Sequence, residues 1–260
     1  MKLFIRFAFD GTAYHGYQVQ GTLPTVQRML NEAARQLFGF ECDVMGCSRT
    51  DAGVHARMFC AAISKKGESD LPVTTPIDKI PRAMCAYLPE DISVYDALWV
   101  RDDFHPRYCV RSKEYEYRYY PQQIRDPFQG KRSWHVPLPL LSDAVERMNR
   151  AAQYFCGTHD FAAFMAQGSQ IVETTRTVFS ASVRADGAFL SFRVRADGFL
   201  YNMVRIMAGT LLEVALGKMQ PEDIPAIIQS GDRVKAGRTA PAVGLYLDSV
   251  EYQPGSFDIT

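Results

Sequence analysis

The sequence predicts an α+β protein built from two related βαββαβ halves, and three observations carry that prediction. Apolar residues recur with a period of two in short runs and near 3.6 in longer ones. The order of those runs in residues 1–105 returns in residues 106–260, and no Gly/Ser-rich linker stands between the two stretches. The halves therefore make one continuous sheet or two tightly docked bodies, mixed and largely antiparallel with flanking helices, and the cleft where they meet is a natural ligand site.

The first half reads strand 2–9, helix 25–38, strands 41–46 and 56–63, helix 76–84 and strand 92–99. Val26, Met29, Leu30, Ala33, Ala34 and Leu37 fall at helical spacing, and Gly39 is placed to stop that helix. Pro76 and Pro81 shorten the second helix. The second half reads strand 113–120, a short strand near 132–136, helix 142–154, strands 174–184 and 189–196, helix 199–216 and a last strand near 245–251. Ser142-Asp143 opens its first helix, and Ala185-Asp186-Gly187 supplies a hairpin turn.

At 260 residues and 47% hydrophobic content the chain can bury a substantial core. No apolar run is long enough to span a bilayer, and Met1–Gly11 has a strand pattern with no signal-peptide layout, so a cytoplasmic protein without a membrane partner is expected. The six cysteines form no CxxC pair and suit reduced, mostly buried thiols; the five histidines lack HxxxH spacing, so no metal is expected. No G-x-G-x-x-G or GxxxxGK[ST] loop occurs, which argues against a nucleotide cofactor. Phe9-Asp10-Gly11-Thr12 is similar to the D-x-D-G-T motif of haloacid dehalogenase-type phosphatases, but Ala8 stands where the nucleophilic aspartate belongs. Phosphoryl transfer is discarded, and Asp10-Gly11 reads as a strand-ending turn.

Lys plus Arg and Asp plus Glu both total 29, so net charge points to no polyanion. The distribution is more telling. Arg101–Arg132 holds eight basic residues against five acids, interleaved with Tyr108, Tyr115, Tyr117, Tyr119 and Tyr120. Guanidinium groups bind phosphate and aromatic rings stack on unpaired bases, so the mixture suits RNA; taken alone it reads more simply as a solvated strand with a Tyr-rich inner face.

Two places could carry chemistry. Cys47–Ala56, Cys-Ser-Arg-Thr-Asp-Ala-Gly-Val-His-Ala, lies between two predicted strands. By propensity it is a turn, yet Asp51 two residues from Arg49 is also how an ionised carboxylate is kept available as nucleophile or base. In helix 199–216, Arg205 has Tyr201, Asn202, Ala208 and Gly209 as its same-face neighbours, polar and then small, so a partner can approach it closely. If buried it needs an anionic partner; otherwise it snorkels to solvent.

Ser48-Arg49-Thr50-Asp51-Ala52-Gly53-Val54-His55-Ala56 resembles the signature of the TruA family of tRNA pseudouridine synthases, in its bacterial form, and the resemblance extends along the chain. Tyr14–Gln20 is similar to the family's Y-x-G-x-Q-x-Q segment and Thr25-Val26-Gln27 to the start of its first helix. Asp103–Tyr108 with Lys113–Tyr117 resembles the F-H-x-R-[FY] and Y-x-Y elements, Asn202–Gly209 the M-V-R-x-[IM]-x-G helix, and Ala240–Leu247 the A-P-x-x-G-L-Y-L end. Ser48 and Tyr17 depart from the glycine and tryptophan common in bacterial members, while Ala52 replaces a lysine frequent in eukaryotic ones.

The resemblance implies Asp51 as the catalytic aspartate with Arg49 beside it, Tyr115 stacking on the target uracil, and Arg205 pairing with the aspartate. It further implies two related halves around an active cleft, a homodimer, no cofactor, and action on uridines 38 to 40 in the anticodon stem-loop of tRNA. A non-catalytic RNA-binding protein is the competing reading; it would use the Arg/Tyr segment without needing Asp51.

Overall fold

The structure is a computed structural model that describes residues 1–168 and 171–258. The chain divides into two compact units, Met1–Arg111 with the chain from Leu247 on, and Ser112–Tyr246. The fold is mixed α+β, and among the described residues it comprises ten strands, largely antiparallel, and five α-helices.

In the first unit, β1 (Lys2–Phe9) runs antiparallel between β3 (His55–Lys65) and β4 (Ile92–Val100), with Ile5 opposite Ala61 on one side and Ala97 on the other. A central strand covered on both faces reads as a continuous apolar run, and Leu3, Phe4 and Ile5 are fully buried. Beside β3 lie β2 (Cys42–Gly46), with Val44 opposite Ile63, and β10 (Leu245–Tyr252). The break at Leu247, where the chain returns to the first unit, has no mark in the sequence.

Helix α1 (Val26–Phe38) packs on β2 through Val26, Leu30, Ala33 and Ala34. The Thr25 hydroxyl accepts the Arg28 N–H at its start, and Gly39, at φ +80°, ends it by donating to the Arg35 carbonyl. The second predicted helix is split: a 3₁₀ turn at Ile77–Lys79 precedes α2 (Ile80–Cys85), with Pro81 in the first turn, where a missing N–H is tolerated.

The second unit orders its main strands β5 (Val110–Tyr120), β9 (Phe189–Ala196), β8 (Thr175–Asp186) and β7 (Gly157–Asp160), with β6 (Trp134–His135) parallel to β5. Gly187, at φ +57°, closes the β8–β9 hairpin where the sequence placed it. Helix α3 (Ala144–Gln153) packs on β8 and on α4 (Met203–Ala215). The Tyr-rich face of β5 is core: Tyr117 and Tyr119 are buried, and their hydroxyls donate to the carbonyls of Pro241 and Ala208, both at 2.8 Å.

Three differences from the sequence reading have physical causes. Helix α4 starts at Met203 and not near 199, because Asn202 sits in the left-handed region at φ +59°. Helix α5 (Ile224–Ser230) went unread because Pro221 and Pro225 interrupt the pattern, although Pro225 sits harmlessly in its first turn. Strand β7, four residues with no alternation of buried and exposed positions, carries no periodic signal.

Candidate active site

In the first unit, Cys47–Val54 connects β2 to β3 and is anchored from both sides. Cys47 N–H donates to the Cys60 carbonyl at 2.9 Å, keeping the loop's first residue against β3. Val54 N–H then donates to the Asp51 carbonyl at 3.2 Å, closing a turn that needs Gly53 at φ +79°. So the turn that propensity predicts is present, with Asp51 at its first position. The Asp51 side chain is half-buried and that of Arg49 exposed.

Residues 10–17 brace this loop. Tyr14 accepts from Gly53 N–H, and Thr50 accepts from Tyr17 N–H, both at 3.3 Å through main-chain carbonyls. Two glycines permit the approach: a Cβ on Gly11 would stand 1.9 Å from the Val54 oxygen, and one on Gly16, at φ +83°, 2.4 Å from the Thr50 oxygen. Gly11 N–H also donates to His55 Nδ1 at 3.1 Å.

Two buried tyrosines hold the brace. The Tyr14 hydroxyl donates to Asp91, and burial, helped by that carboxylate, raises its pKa well above the usual phenol range. Tyr17 stacks on Phe59 at 4.5 Å and donates to the Val44 carbonyl at 3.3 Å; burial likewise keeps it protonated. Tyr17 thus fills the position where tryptophan is common. Its ring lies against Gly46, where a Cβ would come within 2.4 Å of it.

In the second unit, Tyr115 is buried on β5 opposite Val194, its ring edge-on to Phe199 at 5.0 Å and 85°. Phe199 is a residue the sequence reading passed over, since it stood inside the expected helix. Arg205 lies in the first turn of α4 and is half-buried. Its Nε donates to the Ala240 carbonyl at 2.8 Å and its Nη1 to Asn202 Oδ1 at 2.6 Å.

The small face beside Arg205 is approached by the chain's own segment 237–240. Ala240 N–H donates to the Arg205 carbonyl at 3.0 Å, and a Cβ on Gly209 would stand 1.7 Å from the Arg238 oxygen. Gly237 N–H donates to the Thr210 hydroxyl at 2.9 Å, locking the same contact. Arg205 is therefore aimed by two hydrogen bonds of fixed direction, which a lysine could not reproduce. Among the described residues, no three His, Cys, Asp or Glu side chains group as a metal site requires.

Full-length relatives bear on both units. The chain is 42% identical over 244 residues to tRNA pseudouridine synthase A of Thermoanaerobacter sp. (strain X514), covering 94% of this chain and 96% of that one. The chain belongs to the tRNA pseudouridine synthase A family. The enzyme of that name from Moorella thermoacetica is 44% identical over 250 residues, covering 95% and 98%, and that from Acetivibrio thermocellus 43% over 253, covering 97% and 99%.

A family model described as tRNA pseudouridine synthase matches residues 151–253, which includes Arg205 and α4. Among solved structures, a crystal structure of a Cbf5-Nop10-Gar1 complex matches 81% of this chain and 54% of that one, at a TM-score of 0.34 and 11% identity, a likeness too loose to support an argument. The tRNA pseudouridine synthase A relationship spans nearly the whole chain, so it takes in the braced loop as well as Tyr115 and Arg205. No helix among the described residues is long and apolar enough to cross a membrane.

Proposed function

We propose that this tRNA pseudouridine synthase isomerises uridine to pseudouridine at positions 38 to 40 of the tRNA anticodon stem-loop, with Asp51 as its catalytic carboxylate. The observation that carries the reading is the braced turn of residues 47–54, which presents one half-buried carboxylate in a chain related over nearly its full length to tRNA pseudouridine synthases. The reaction breaks C1′–N1, turns the uracil and joins C1′ to C5. It loses one proton from C5 and gains one at N1, with no redox change and no transferred group. A carboxylate serves the central step by adding to C1′ or C6 or by taking the C5 proton.

The other residues follow as proposals from the resemblance. Tyr115 stacks on the flipped uracil, with its ring already oriented by Phe199. Arg49, exposed on the loop of Asp51, meets the RNA backbone. Arg205 pairs with the carboxylate, holding it ionised and directed. The fold is proposed to consist of two related halves, 1–105 with the Asp loop and 106–260 with Tyr115 and Arg205. The enzyme is proposed to act in the cytoplasm as a homodimer on tRNA, without cofactor.

The test follows the C5 hydrogen. Purified protein is incubated with a tRNA transcript carrying tritium at C5 of its uridines; tritium should be released to water by the parent protein and not by Asp51→Asn. Release by Asp51→Asn at the parent rate would overturn the assignment of the carboxylate, and no release by the parent would overturn the function.

A further inference from the structure

Phe104-His105-Pro106-Arg107-Tyr108, in the first unit, is tied down at nearly every residue. Phe104 is buried in an aromatic cluster, 5.5 Å from both Phe4 and Tyr252 and 5.9 Å from Phe257 between ring centres. Its carbonyl accepts from Lys2 Nζ at 3.1 Å, and the Pro106 carbonyl from the Tyr252 hydroxyl at 2.9 Å. Cys109 N–H donates to the His105 carbonyl at 3.1 Å, and the Cys109 carbonyl accepts from Gln253 N–H at 3.0 Å. His105 Nδ1 accepts the N–H groups of Arg107 and Tyr108, at 3.1 and 3.3 Å. That nitrogen therefore carries no proton, and burial, with the charges of Arg107 and Lys2, lowers the ring's pKa. The imidazole is a neutral, fixed plane.

Tyr108 stacks on that plane at 4.1 Å and 24°, yet stays 78% exposed. Tyr117 and Tyr119 of the same Tyr-rich stretch are core residues of the second unit, so they present no open face to solvent. A ring held flat on one side and open on the other has already lost the freedom that binding would cost it. Beside it, Arg107 is half-buried, and its Nε is buried with no hydrogen-bond partner. Arg101 is already paired with Asp103 at 3.1 Å. A half-buried guanidinium beside an open ring can offer its outer N–H groups to a phosphate as a fork.

We infer that Tyr108, backed by His105, is a stacking platform for an unpaired base of the substrate tRNA, and that Arg107 takes a phosphate of the same strand. The inference rests on the proposed function and deepens it by naming a docking point on the unit that carries Asp51. A cationic group beside an open aromatic face favours a nucleotide over an apolar protein partner, which would need a wider apolar patch.

The test measures the dissociation constant and conversion kinetics on unmodified tRNA transcript. Tyr108→Ala should weaken binding about tenfold, the loss falling on KM more than on kcat, and Tyr108→Phe should restore most of it. Arg107→Gln should make the dependence of log Kd on log salt shallower by about one. Should Arg107→Gln melt early, the exposed Tyr108 pair decides alone. Parent-like binding by Tyr108→Ala, or a Tyr108→Phe variant as weak as alanine, overturns the platform. If the parent converts uridine and the variants match it, the platform alone falls; if the parent neither binds nor converts tRNA, the proposed function falls with it.

Discussion

Replacing Gly11 by alanine probes the brace without touching the carboxylate. The new methyl carbon would stand 1.9 Å from the Val54 oxygen, and the obstacle is main chain on both sides. That carbonyl has to retreat by at least about 1 Å, which a packed interior resists at a cost of roughly 1–3 kcal/mol. Val54 N–H closes the turn on Asp51, so the shift is passed to the carboxylate. A displacement of about 1 Å at a reacting group costs on the order of 10²-fold in rate. Gly67→Ala is the control: Gly67 has a left-handed φ, +78°, which Gly11 does not, and nothing lies within 4 Å of its Cβ position. It should lose about 1–2 kcal/mol of stability and little activity. Tritium release from C5-labelled tRNA and thermal melting, run on both variants, make the comparison. If Gly11→Ala released tritium as fast as Gly67→Ala, the claim that residues 10–17 aim Asp51 would be wrong.

Four further outcomes are expected. Asp51→Asn should abolish conversion while tRNA binding, by filter retention, stays within about threefold of the parent, since phosphate contacts set most affinity. Arg205→Lys should lower stability by about 1–3 kcal/mol, because one ammonium cannot serve both Ala240 and Asn202; an unchanged melting curve would contradict the bonds seen here. In a double-mutant cycle, Asp51→Asn and Arg205→Ala should couple by at least about 0.5 kcal/mol if the proposed pairing holds, and additive effects would remove it. Burial pushes the Cys42 thiol up to about 11, so the folded state holds that proton more tightly than the unfolded chain. Its contribution to stability is complete below pH 9 and is lost as pH rises toward 11, a decline in melting temperature that Cys42→Ala should flatten.

Where local rules act alone, residues and structure agree. Thr25 and Gly39 bound α1 because a hydroxyl and a left-handed glycine satisfy helix ends with no help from elsewhere. Asp10 ends β1 by accepting the Thr12 N–H, the strand-ending turn read from Asp10-Gly11. What stayed hidden depends on distant partners. The glycines at 11 and 16 look like ordinary turn residues until Val54 and Thr50 come against them. The small face beside Arg205 was legible as a place of close approach, but not that residues 237–240 fill it. Tyr108 could not be told from Tyr117 by composition; only the sheet register and the His105 stack separate an open ring from a core one.

The unit that holds Asp51 includes the chain from Leu247 on, with Tyr252 and Phe257 in its aromatic cluster and Asp248 paired with Arg57. On a ribosome moving at about 5–20 residues per second, Arg111 emerges on the order of ten seconds before those groups. For that interval β3 lacks β10 along one edge and Phe4 lacks two of its ring neighbours. The Asp51 loop is thus translated early and finished late, so a nascent chain stalled before Leu247 would carry the aspartate without the completed body that supports it.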